Sequence, residues 1–225
     1  MTARPRLLPL ATLLALAVGC GPAPTVEPPR PVVLPEVRAY HGDSLRRAGR
    51  LRTLVLPFRH NDRSASEAVT QAFALELAKA QHVEVLADDS RAAELGQRLG
   101  VWDGQCLDIH ALTVLRRRLG VGAVACGSIL RYRPYGPPIL GLRVQLVSTR
   151  TGGVLWGAEG TFDASNAGTQ YLMRRFYELW MEDTPRSLGW RVLLHSPRQF
   201  NQFVVHQLVE SIEPTEIPAV ASTSH

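Results

Sequence analysis

Histidine and cysteine are the residue types that most often hold metals or start nucleophilic chemistry, and the chain has seven His and three Cys. None of them stands in an H-x3-H, H-E-x-x-H or C-x2-C spacing, which would place two ligands side by side. Cys106 and His110 are four residues apart and fit one helix face, but a structural zinc site requires about four ligands. The sequence therefore predicts no metal site and no metal cofactor.

Three other patterns could carry catalysis, and each has a structural explanation. Asp88 and Asp89 precede Ser90, which is typical of a helix start rather than of an acid pair. Gly120–Gly122 resembles part of a phosphate loop but comes before a strand, whereas dinucleotide binding requires it after one. Ser128 lacks the G-x-S-x-G spacing of a nucleophile elbow. We expect no catalytic residues, no enzyme activity and no small-molecule substrate.

The N-terminus has the features of an export signal. Arg4 and Arg6 precede the apolar run Leu7–Gly19, which is too short to span a bilayer. We predict a signal peptide over 1–19, cleaved between Gly19 and Cys20. A cysteine directly after the cut resembles the bacterial lipobox, which implies a lipid on the Cys20 sulfur as a membrane anchor. By the same resemblance, Gly21 indicates the outer membrane, with the chain facing the periplasm.

A proline-rich segment follows the anchor, and we predict a tether over 20–49. The prolines between Gly21 and Val37 fix the backbone and remove hydrogen-bond donors, which favours an extended spacer. The alternative is a polyproline II ligand at Pro28–Pro31. In an oxidising compartment, Cys106 and Cys126 could form a disulfide that closes a loop of about 20 residues. They could equally stay free, with Cys126 in the core.

The charge balance gives little support for a nucleic-acid partner, and we expect none. The formal net charge is +5, and the mature chain has +3 because Arg4 and Arg6 leave with the signal peptide. Two basic clusters, Arg116–Arg118 and Arg174–Arg175, have two interpretations. They could meet anionic lipid headgroups or a polyanionic glycan. Alternatively, the first cluster complements the dipole at a helix end, and the second lies on a solvated face.

The apolar pattern between residues 50 and 163 predicts the element order β-α-β-α-α-β-β-β. A capping box of Ser64 and Glu67 opens the first helix, Asp88–Ser90 opens a second over 92–99, and Asp108 opens a third. The predicted fold class is α+β, with helices packed on one mixed β-sheet. The predicted strands are Arg52–Phe58, Val83–Leu86, Ala123–Tyr132, Leu140–Leu146 and Val154–Phe162.

Three segments of this region resemble a known family. They are LVLPF at Leu54–Phe58, LGVGAVACGSILRY at Leu119–Tyr132 and LRVQLVSTRTGGVLW at Leu142–Trp156. They are similar to the curli-channel (CsgG-like) lipoproteins, a group that shares its fold with the TolB N-terminal domain. The resemblance implies a CsgG/TolB-N-like domain over 50–163 and an oligomer. In the curli channel, long insertions form membrane hairpins, but the loop Arg133–Ile139 is shorter than one membrane strand. We therefore expect no pore from this chain alone.

Beyond the resemblance we predict a helical region over 164–212 and a disordered tail over 213–225. Ser196 and Pro197 are typical of the start of a last helix. An amphipathic helix around Tyr171–Trp180 could either pack as core or dock another subunit. The residues of this possible interaction surface are Arg174, Arg175, Phe176, Tyr177 and Trp180.

Together these features predict a lipid-anchored periplasmic lipoprotein that serves as a non-catalytic assembly subunit of a cell-envelope complex. We expect the membrane as one partner, through the lipid on Cys20, and a second copy or another envelope protein as the other. No cofactor is expected besides that covalent lipid. One alternative is an accessory subunit of a secretion or polysaccharide-export channel. The least favoured alternative is an envelope hydrolase, for which no nucleophile and base can be nominated.

Overall fold

The strictly alternating segment around Leu142–Leu146 becomes the middle of a six-stranded mixed sheet. The computed structural model describes residues 32–42, 45, 49–86, 108–181 and 189–213, all within the unit Val32–His225. The strands are β1 (Val37–His41), β2 (Leu51–Val55), β3 (Val83–Val85), β4 (Ala123–Arg133), β5 (Ile139–Ser148) and β6 (Val154–Asp163). The helices are α1 (Arg63–Leu77), α2 (Ile109–Leu119), α3 (Ala167–Trp180), α4 (Val192–His195) and α5 (Pro197–Val209), with 3-10 turns at Gly189–Arg191 and Glu210–Ile212.

The strands lie in the order β1-β6-β5-β4-β2-β3. The run β4-β5-β6-β1 is antiparallel, whereas β2 is parallel to both β4 and β3. The tight turn between β5 and β6 depends on Gly152, whose φ of 71° is a conformation that favours glycine. Helices pack on both faces of the sheet, and further helices follow it in the chain. The predicted α+β class is confirmed.

Helix starts follow short polar side chains, with one correction. Asp62, not Ser64, caps α1, because its carboxylate accepts hydrogen bonds from the amides of Ser64 (2.9 Å) and Ala65 (3.3 Å). Glu67, the predicted second half of the capping box, instead pairs with Arg63 at 2.7 Å. Asp108 and Ser196 cap α2 and α5 as predicted. The helix predicted over 92–99 and its start at Asp88–Ser90 lie outside the described residues.

Two apolar cores lie on opposite faces of the sheet. The larger core contains Phe58 and Phe73 near α1, and Trp156, Phe162 and Phe203 beneath the C-terminal helices. The smaller core joins α2 to the sheet and consists of Leu54, Leu56, Ala111, Leu112, Leu115, Val121, Val124 and Val147. Because Phe203 of α5 contacts Phe162 of β6 at 5.6 Å between ring centroids, the C-terminal helices share one core with the sheet.

The segment Val37–His41 falls inside the range 20–49 predicted as tether, and the structure differs there. It forms β1, antiparallel to β6, with Val37 opposite Gly160 and His41 opposite Trp156. Four of its five residues are exposed, so burial of a local apolar face does not account for the strand. Pairing with β6, which is distant in sequence, therefore makes this segment a strand.

Candidate interaction surfaces

On one face of the sheet, the helices that the structure describes pack over only part of its width. The described helix α2 packs over the β2 and β4 side of this face, where Leu112 and Leu115 lie in the smaller core. Beyond it, the side chains of β5, β6 and β1 that point to the same side form a polar surface. We call it the open face, and it consists of Arg38, Tyr40, Arg143, Gln145, Gly157 and Glu159.

A charged row crosses three strands of the open face. Glu159 on β6 lies opposite Arg38 on β1 and opposite Arg143 on β5. Arg143 Nε donates to Glu159 Oε2 at 2.6 Å, and this hydrogen bond raises the pKa of Arg143. Arg38 Nε lies 3.1 Å from Glu36 Oε1, and that bond raises the pKa of Arg38. Because both pairs are exposed, solvent screens them, so they add little to stability and their charges remain open to a partner.

The next row of the open face forms a shallow groove. Tyr40, Gly157 and Gln145 lie opposite one another on β1, β6 and β5. Gly157 has no side chain, so the surface sinks between its two neighbours and leaves a groove of about 540 Å³. Tyr40 is 59% exposed at its edge. The groove thus combines an aromatic ring, an amide and two guanidinium groups, which suit a polar partner with an aromatic or planar anchor.

The predicted interaction surface on α3 does not exist as one surface. Phe176 is 4% exposed and packs against Phe203, so it belongs to the core. Arg174 lies over the ring of Trp190, with its guanidinium carbon 4.7 Å from the ring centroid. Tyr177 is half-buried and Arg175 is exposed. Trp180 is 60% exposed and its ring lies 5.0 Å from that of His206. The core interpretation therefore holds for Phe176, and docking through the exposed residues stays a prediction.

A buried carboxylate joins α1 to α5. Glu76 is 2% exposed and accepts hydrogen bonds from Lys79 Nζ (2.6 Å), Gln202 Nε2 (3.1 Å) and His206 Nδ1 (3.2 Å). Burial alone raises its pKa, but the bonds from His206, Lys79 and Gln202 outweigh that effect and bring the pKa to about 2. The carboxylate thus stays charged at neutral pH, and its bonds to Gln202 and His206 tie α1 to α5.

The basic cluster Arg116–Arg118 occupies the last turn of α2, and all three residues are exposed. Arg116 O accepts the amide of Gly120, whose φ of 66° ends the helix. The cluster therefore lies at the negative end of the helix dipole, as the second interpretation, dipole complementation, predicts. The guanidinium of Arg52 reaches the same end of the sheet, next to Gly120.

The remaining predicted sites lie wholly or partly outside the described residues. Gly19, Cys20 and Cys106 are not described, so the lipid anchor and the Cys106–Cys126 disulfide stay predictions. Cys126 is described on β4, where burial raises the pKa of its thiol to about 11. Among the described side chains, no three of His, Cys, Asp and Glu are grouped closely enough to hold a metal ion. Within the same ranges, no helix has the length and apolar content to cross a bilayer.

Sequence reasoning missed the open face. Arg38 and Tyr40 fell in the predicted tether, and Arg143 and Gln145 were interpreted only as the solvent side of a strand. The signal that points to them is the polar half of the β5 alternation, which requires either solvent or a partner opposite it. Among the described helices, only α2 packs on this face, and it covers the β2 and β4 side.

The fold is similar to those of several solved structures. The PelC dodecamer from Paraburkholderia phytofirmans is 15% identical, with 81% of this chain and 100% of that chain covered and a TM-score of 0.47. The lipoprotein GNA1162 from Neisseria meningitidis is 20% identical, covers 72% of this chain and 98% of its own, and has a TM-score of 0.39. The LpoB C-terminal domain from Escherichia coli is 19% identical, with coverages of 50% and 82% and a TM-score of 0.35. No protein-family model and no curated protein matches the chain.

Proposed function

We propose that this chain is a lipid-anchored, non-catalytic interaction subunit of a cell-envelope complex, held at the outer membrane and facing the periplasm. The observation that carries the proposal is the open face, where three neighbouring strands present a polar groove that no described helix covers. On this face the charged row of Arg38, Glu159 and Arg143 lies beside the groove, so charges and groove are offered to a partner together.

The composition of the open face favours a protein partner. Arginine and tyrosine are enriched among the residues that dominate binding energy at protein interfaces. Arg38, Tyr40 and Arg143 provide these groups within one groove, and Glu159 supplies the opposite charge. A partner with an acidic side chain near Arg38 and Arg143 would complete this charge row.

The anchor rests on the export signal. Arg4, Arg6, the apolar run Leu7–Gly19 and Cys20 fit a lipoprotein signal. Each buried CH₂ of an attached acyl chain contributes about 0.8 kcal/mol to membrane binding, so two or more chains anchor the protein durably. Mass spectrometry of the mature N-terminus tests this step. We expect an acylated Cys20, and Cys20→Ser should release the chain from the membrane fraction.

Site-specific photocrosslinking in intact cells tests the interaction role. A benzophenone amino acid at Gln145 places the probe in the groove, and the same probe at Glu67, on the exposed side of α1, is the matched control. We expect Gln145 to give an adduct with a defined envelope protein, identified by mass spectrometry, and Glu67 to give none. An adduct with a channel subunit would assign the chain to secretion or polysaccharide export. No adduct at Gln145, or the same adducts at both positions, would reject the proposal.

A further inference from the structure

Among the described strands, β1 lies at one end of the sheet. It pairs with β6 on one side, and no described strand lies on the other. Arg38, Ala39, Tyr40 and His41 are exposed. Natural edge strands are commonly blocked by proline, lysine, a bulge or a covering element, because an open edge recruits another strand. The five residues of β1 contain no proline, the side chain of its one arginine, Arg38, lies on the open face, and its pairing with β6 is regular.

The hydrogen-bond alternation shows which backbone groups of β1 are free. Gly42 N donates to Leu155 O at 2.8 Å, which makes this pair hydrogen-bonded. In an antiparallel ladder, hydrogen-bonded and non-hydrogen-bonded pairs alternate, so Arg38 and Tyr40 also direct their backbone groups toward β6. Val37, Ala39 and His41 then direct their amides and carbonyls away from the sheet. These are the groups that a further strand would bond.

We propose that β1 pairs antiparallel with β1 of a second copy of this chain, about a two-fold axis at Ala39. This inference rests on the proposed function, because it names a second copy of the chain as one partner at the β1 end of the open face. The two six-stranded sheets would join into one, and the two open faces would become continuous. The interface is isologous, so one set of residues serves both subunits.

Side-chain complementarity selects this register. Pairing Ala39 with the partner's Ala39 overlaps all five residues of β1 and sets Arg38 opposite the partner's Tyr40. That pair is non-hydrogen-bonded across the interface, so its side chains approach closely. An arginine against a tyrosine ring is a favourable cation–π contact, and the symmetry makes it twice. With the two-fold axis at Arg38 instead, Arg38 would lie opposite the partner's Arg38, where like charges repel. With the axis at Tyr40, the overlap of the two strands would be shorter and the arginine–tyrosine pair would be lost.

Cysteine crosslinking of the full chain in detergent-solubilised membranes tests this register. The two Cα atoms of a hydrogen-bonded Ala39 pair would be about 5.5 Å apart, within the range that a disulfide spans. We expect Ala39→Cys to form a covalent dimer under mild oxidation, on a gel without reductant. Glu67→Cys, exposed on α1, should stay monomeric. Arg38→Cys alone should also stay monomeric, but mixed with Tyr40→Cys it should crosslink.

Proline at the centre of β1 provides a second test that does not depend on thiol chemistry. Ala39→Pro removes an amide that faces away from β6, so the fold should persist by circular dichroism while light scattering shifts from dimer to monomer. A monomeric wild type, or no dimer from Ala39→Cys, would overturn the inference. If Gln145 still captures an envelope protein in that case, the proposed function stands and only the self-pairing is wrong. A dimer without any Gln145 adduct would reject the proposed function instead.

Discussion

The carboxylate of Glu76 on α1 accepts a hydrogen bond from the imidazole of His206 on α5, with Oε2 and Nδ1 3.2 Å apart. These residues are 130 positions apart in the chain, so the bond ties the last long helix to the first. The ring of His206 also lies 5.0 Å from the rings of Phe176 and Trp180. The polar contact is thus enclosed by aromatic packing, which strengthens it by excluding water.

Removing the Glu76 carboxylate should destabilise the fold. Glu76→Ala leaves the donors of His206 and Gln202 without their acceptor in a largely buried place, at a cost of about 2–4 kcal/mol. Urea unfolding followed by circular dichroism measures the change. Glu67→Ala is the control, because its ion pair with Arg63 is exposed and should be worth less than about 1 kcal/mol. Equal losses in the two variants would contradict a structural role for the buried carboxylate.

The lowered pKa of the Glu76 carboxylate predicts that the fold loses stability in acid. The pKa of Glu76 is about 2 in the folded chain, below its ordinary value of 4.5. A lowered pKa stabilises the fold fully above the unfolded value, and this contribution is lost as the pH falls from about 5 toward 2. At about 1.4 kcal/mol per pH unit, the interval corresponds to about 3 kcal/mol.

Denaturant titrations at several pH values measure this contribution as the difference between wild type and Glu76→Gln. The glutamine keeps the size of the side chain but does not titrate, and the other carboxylates are common to both proteins. We expect the difference in unfolding free energy to shrink from pH 5 to pH 2. A difference independent of pH would show that Glu76 is not held ionised.

Gly168 at the start of α3 should tolerate no side chain. A Cβ there would lie 2.0 Å from the carbonyl oxygen of Val33, in the segment that leads into β1. Backbone cannot give way as a flexible side chain does, so Gly168→Ala should cost about 1–3 kcal/mol by overpacking. Gly157→Ala is the matched control, because its nearest atom lies at an ordinary 3.5 Å. Thermal unfolding of both variants makes the comparison, and an unchanged Gly168→Ala would mean that the Val33 segment is displaced easily.

Local chemistry predicted much of the sheet. The alternation of Leu142, Val144 and Leu146 with Arg143 and Gln145 indicates a strand with one buried face, and the structure has it in β5. The caps at Asp108 and Ser196 were equally readable, because each side chain acts within three residues of itself. At α1 the same reasoning selected Ser64, although Asp62 was the better acceptor two residues earlier.

The open face and its edge could not be predicted in the same way. β1 becomes a strand because β6 pairs with it, and that contact joins residues more than 100 positions apart. Phe176 illustrates the same limit in the opposite direction. Its position on an amphipathic helix fits either a core or an exposed face, and only the presence of Phe203 decides for the core. Pairing across long sequence distances therefore decides which surfaces remain free.

The thiol of Cys126 should react far more slowly than an ordinary cysteine. Burial raises its pKa from 9.0 to about 11, which lowers the reactive thiolate about 100-fold at a given pH. Iodoacetamide labelling of the native chain, followed by peptide mass spectrometry, measures the rate against the same peptide after unfolding. Fast labelling of the native chain would contradict the buried environment of this thiol. Unfolding without reductant separates the two remaining states, since a free Cys126 then labels fully and one bridged to Cys106 labels only after reduction.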